Sequence, residues 1–246
     1  MSETTRMWVE VTFNIIYLIV VWGLVIAMTR RMARVAGRDR PVALLTRNAF
    51  ALLALGDTGH VGFRVIAYAQ GGLEATFSLF GRDIGWVGLG ALATAVTVTL
   101  FYVLMLEIWR ARFDQPYGWL GYVLLAAAAV RLAIMALPAN EWNRAIPAQP
   151  WSLYRNIPLM IQGLGVAYLI LRDAARRGDR TFLWIGVSIL VSYACYTPVI
   201  LWVQKVPALG MLMIPKTLAY VAIAIIAYRA WFRGQAPRLR EARAAA

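Results

Sequence analysis

The chain has 246 residues, 61% hydrophobic and only 15% charged, with a mean hydropathy of +0.63. That balance excludes an ordinary soluble domain, and seven or so spans of roughly 20 apolar residues use up the length. A net charge of +13 would point a soluble protein toward nucleic acid, but topology absorbs the excess here, and one cysteine, Cys195, excludes disulfide frameworks and cysteine-built metal sites.

The first apolar run, Val9–Met28, has neither a basic leading region nor a small-residue cleavage site, and is expected to be a retained helix rather than a signal peptide. Further spans are expected at Ala49–Ala69, Ile84–Leu106, Gly118–Leu137, Leu153–Leu171, Leu183–Val203 and Ala208–Ala227, with a basic tail over residues 228–246. The expected fold is therefore an all-α integral membrane protein, with seven transmembrane helices in a single bundle.

Seven spans put the termini on opposite sides. The connections Thr29–Asn48, Ile108–Tyr117 and Arg172–Phe182, with the tail, hold 17 arginines, whereas the other side holds only Arg6, Arg82, Arg144, Arg155 and Lys205. The basic side is expected to be cytoplasmic, with the N-terminus outside, in the inner (plasma) membrane. It then faces anionic lipid headgroups and needs no nucleic-acid partner.

The longest opposite connection, Pro138–Ser152, contains three prolines and two tryptophans, which argue against a helix. It is expected to be a rigid interfacial loop with Trp142 and Trp151 at headgroup depth; a lid over a cavity is the sharper alternative. No internal repeat or inverted pair of broken helices is visible, which counts against a repeat-built transporter.

Ionisable groups at bilayer depth cost about 2.5–3.5 kcal/mol each and so mark functional sites or buried pairs. In the second helix Asp57, His60 and Arg64 stand at i, i+3 and i+7 and share one face, with Gly56, Gly59 and Gly62 on an adjoining arc suited to close helix approach. Arg131 follows in helix four, Arg155 and Asn156 open helix five, Tyr193 and Tyr196 lie in helix six, and Lys216 and Tyr220 in helix seven. All fall in the middle or outer half of the membrane, and if they converge they line one net-positive chamber, with Glu10 and Asn14 at its rim. An anionic or lipid-like small molecule would neutralise it.

A structural reading stands beside this one: Asp57 paired with Arg64 or Lys216 to fix packing, and Arg131 and Arg155 snorkelling to the interface. Glu107 is expected to pair with neighbouring arginines, and Thr94, Thr97 and Thr99 to bond back to their own helix. Pro158, Pro198 and Pro215 each free a backbone carbonyl. The lone histidine excludes poly-histidine metal sites and paired-histidine haem ligation.

A lysine inside the seventh of seven helices resembles the microbial rhodopsins, as does the string Tyr193-Ala-Cys-Tyr196-Thr-Pro198-Val-Ile-Leu-Trp202. That resemblance implies retinal bound to Lys216 as a Schiff base. Against it, helix three has only threonines and apolar residues at mid-depth, and Leu212 stands four positions before Lys216. Asp57 alone is left as counterion, and Arg64 and Arg131 would repel a cationic chromophore. Asp57-Thr-Gly-His60 with Arg64, Tyr154-Arg155-Asn156-Ile157-Pro158 and Met213-Ile-Pro215-Lys216-Thr217 also resemble a set of bacterial seven-helix membrane proteins. This second resemblance covers most of the chain and implies the fold without an activity.

Three functions follow as expectations. The leading one is binding or transport of an anionic or amphipathic molecule by Arg64, Arg131 and Lys216, with Asp57 and His60 tuning charge. The second is an intramembrane lipid-acting enzyme with catalytic candidates Asp57 and His60, the histidine serving as general base. The third is the retinal protein.

Overall fold

The computed structural model describes residues 3–79 and 81–233, with the side chains of residues 3–8, 10, 79 and 82 excepted. Seven helices are long and apolar enough to cross a membrane. They are built on α1 (Glu3–Arg31), α2 (Arg40–Ala69), α3 (Trp86–Phe113), α4 (Gly118–Ala136), α5 (Trp151–Arg177), α6 (Arg180–Trp202) and α7 (Met213–Ala227), the last reaching that length only with its flanking turns, over Pro207–Arg233. Most run past the apolar stretches, because Arg40, Arg110, Arg112, Arg176 and Arg177 continue the helix into polar surroundings at little cost. Of the basic tail, residues 234–246 lie outside the described residues.

Consecutive helices pack side by side, α7 closes against α1 and α2, and α3 runs through the middle to touch α2, α4 and α5. Side chains on many outward faces are apolar and exposed, among them Ile19, Leu55, Trp184 and Leu218, as a lipid-facing bundle requires.

One element departs from expectation. Thr76–Leu79 (β1) and Arg82–Gly85 (β2) form an antiparallel hairpin between α2 and α3, with Phe77 opposite Ile84. Ile84 therefore belongs to a strand and α3 starts at Trp86. Gly81 supplies the left-handed turn with φ +73°. Trp86 stacks on Phe77 and Phe63 and donates to Gln70, pinning the hairpin to both helices.

At the basic end, Arg112 bridges Asp179 at 2.8 Å and Asp39 at 3.4 Å, joining three connections. Trp109 donates to Asp173 at 2.9 Å, and Arg177 to the Phe113 carbonyl. Glu107 pairs with Arg110 as expected, whereas Arg112 turns to the aspartates. Of the three prolines, Pro158 and Pro198 lie inside helices. Pro215 instead falls in the first turn of α7, after a 3-10 segment, Pro207–Leu212, so it frees no carbonyl of a continuous helix.

Candidate functional site

α2 and α3 meet through small residues. A Cβ on Gly56 would stand 1.8 Å from Thr97 Oγ1, and one on Gly90 3.0 Å from the His60 backbone. The glycine arc read from the sequence thus serves this contact at Gly56 and Gly59, while Gly62 meets nothing within 4 Å. Close packing brings Thr94 within 2.6 Å of Asp57 Oδ1, and Tyr17 of α1 donates to Oδ2 at 2.6 Å.

Both Asp57 oxygens are therefore held by neutral hydroxyls. Among the described residues Asp57 forms no ion pair with Arg64 or Lys216, which corrects the structural pairing expected above. Nor, among the described residues, does a hydrogen bond join it to His60, whose Nδ1 is buried there without a partner. Arg64, half-buried one turn beyond His60, makes no hydrogen bond or ion pair within the described residues.

The second cluster is built by α3 to α7. Arg131 is 2% exposed; its Nε donates to the Arg155 carbonyl at 2.9 Å and its Nη1 to Thr99 Oγ1 at 2.7 Å, leaving Nη2 without a partner among the described residues. Arg155, itself buried, donates to Asn140 at 3.1 Å and lies 4.3 Å over the Trp142 ring. Both arginines find neutral acceptors, Arg131 on α3 and α5 and Arg155 on Asn140 of the Pro138–Asn140 turn. Half-buried Trp142 donates to the Met135 carbonyl near the end of α4, and its backbone packs onto Gly88 near the start of α3, where a Cβ would stand 1.7 Å from its carbonyl oxygen.

Aromatic residues enclose these cations. Lys216 Nζ lies 4.5 Å from the centre of the Tyr196 ring and 5.7 Å from that of Tyr220. Tyr220 shares a 2.8 Å hydrogen bond with Tyr102, and Tyr193 donates to the Leu159 carbonyl at 2.9 Å, a reach that depends on Gly163 having no side chain. Tyr196 donates to Asn156 at 3.4 Å, and Asn156 donates to the Ser152 carbonyl. The Tyr17 cluster packs against Val221 of α7, the residue after Tyr220.

Thus Arg131, Arg155, Asn156, Tyr193, Tyr196, Lys216 and Tyr220 come together, while among the described residues no hydrogen bond or ion pair joins Asp57 or His60 to them. Tyr17, Tyr102, Asn140 and Gln162 belong to these clusters but were not singled out by the sequence. An amide inside an apolar helix was the signal available for Gln162. Of the threonines, Thr97 and Thr99 bond back to their own helix as expected, whereas Thr94 spends its proton on Asp57. The side chain of Glu10 lies outside those described.

At the end opposite the arginine-rich one, a cleft of about 220 Å3 lies between α5 and α6, lined by Leu153, Ile200 and Leu201, with Gln149, Gln204 and Lys205 at its mouth. Asn156 and Tyr196 lie one helical turn further in, so their contact stands between the cleft and the Lys216–Arg131 group. No protein family, curated protein or solved structure matches the chain.

Proposed function

We propose that this protein binds an anionic amphipathic molecule, its head held between Lys216 and Arg131 and its tail along the apolar walls of the bundle. The observation that carries the reading is Arg131, 2% exposed and bonded only to neutral oxygens, with Lys216 held over two tyrosine rings. A buried cation without a counter-charge is costly, and a carboxylate or phosphate supplies that charge with fork-like bonds to a guanidinium. Tyrosine rings stabilise the lysine by cation–π attraction but carry no net charge to offset it.

The α5–α6 cleft is the route in. Lys205 at its mouth draws an anion, and rotation of the Tyr196 ring opens the floor toward Lys216. The arginine-rich end faces the cytoplasm in this reading and the N-terminus lies outside, in the inner membrane. The molecule therefore arrives from outside or from the outer leaflet. Release on the other side would make the protein a transporter; retention would make it a receptor.

The test is a thermal-shift screen in detergent with long-chain carboxylates and phosphates. Stabilisation of the wild type that disappears in Lys216→Met supports the reading. No stabilisation, or equal stabilisation of both proteins, rejects it.

A further inference from the structure

We infer that the anionic head also carries a hydrogen-bond donor, an O–H or N–H next to its charged group, and that Gln162 Oε1 is the atom that accepts from it. The inference rests on the anion-binding reading above and names the class of molecule more narrowly.

Gln162 lies in α5 and is 1% exposed. Its Nε2 donates to the Thr99 carbonyl at 3.3 Å, which fixes the amide's orientation: the flipped amide would set oxygen against oxygen. Oε1 is then buried with no donor among the described residues. Buried polar atoms are bonded in nearly all native proteins, so this oxygen calls for a donor that the described residues do not supply.

Thr99 is the common anchor. Its carbonyl takes Gln162 Nε2 and its hydroxyl takes Arg131 Nη1, so an acceptor lacking a donor and a cation lacking an anion flank one residue. A plain carboxylate has only acceptors: it satisfies Arg131 and Lys216 but leaves Gln162 unbonded. A 2-hydroxycarboxylate, or an N-acyl amino acid, places a donor one atom from the carboxylate and meets both demands. A single buried water bonded to Gln162 is the competing occupant, and it predicts no preference between the two kinds of head.

The experiment measures binding of hexadecanoate and 2-hydroxyhexadecanoate to the full chain in nanodiscs. The wild type is expected to bind the hydroxy acid about tenfold more tightly, since a site built around a hydrogen bond rejects the analogue lacking it. Gln162→Met should lose that preference. Gln162→Glu should weaken both by adding a like charge. Equal binding of the two acids to the wild type, with loss of both in Lys216→Met, overturns the donor inference and leaves the anion reading standing. Binding of neither acid overturns both. The wild-type comparison decides even if Gln162→Met fails to fold.

Discussion

Arg131 donates its Nε hydrogen to the main-chain carbonyl of Arg155, so one buried guanidinium is anchored on the backbone of a second buried arginine, and no carboxylate bonds to either among the described residues. Lys216 adds a third positive charge to the same group of tyrosines. If these cations await an anion, removing one relieves repulsion in the ligand-free protein. Lys216→Met is expected to unfold no earlier than the wild type in a thermal melt without added ligand. Breaking a buried salt bridge would instead cost about 3–5 kcal/mol.

Asp57 depends on hydroxyls from two neighbouring helices. Tyr17→Phe and Thr94→Val each leave one carboxylate oxygen short of a donor, and each is expected to lower stability by about 1–3 kcal/mol. The losses should be non-additive, because both act through one carboxylate. Chemical or thermal unfolding of the two single variants and the double variant measures the coupling.

The α2–α3 contact tolerates no side chain at residue 56. Gly56→Ala pushes a methyl group into Thr97 and is expected to cost about 1–3 kcal/mol. Thr97→Gly in the same chain should recover part of the loss, which a stability measurement on the pair will show. No recovery would place the cost elsewhere.

Orientation is open to labelling in intact cells. In a Cys195→Ala background, a cysteine replacing exposed Asn143 should react with a membrane-impermeant maleimide, and one replacing Gly178 should react only after permeabilisation. The reverse pattern would invert the proposed topology.

Seven helices long and apolar enough to cross a membrane were legible because runs of about 20 apolar residues have few other uses. The hairpin was not: Ile84, Gly85 and Trp86 merge by hydropathy into the next helix, hiding the alternation of Thr76, Phe77, Ser78 and Leu79. Arg131 and Lys216 stood out as charges in apolar helices. Their surroundings did not, because hydroxyls and amides such as Tyr17, Thr94 and Gln162 sit in apolar helices without disturbing hydropathy. Spacing along one helix also placed Asp57 and His60 together, although the aspartate's bonds run to α1 and α3 instead. Which faces of different helices meet is decided by packing such as Gly56 on Thr97, not by any single helix.

The most direct test of the anion site is equilibrium binding of hexadecanoate and of its uncharged analogue hexadecanamide to the wild type and to Lys216→Met in nanodiscs. The account predicts saturable carboxylate binding to the wild type, weakened about tenfold or more in the variant, with the amide bound weakly by both. Equal binding of amide and carboxylate, or carboxylate binding unchanged by Lys216→Met, would contradict it.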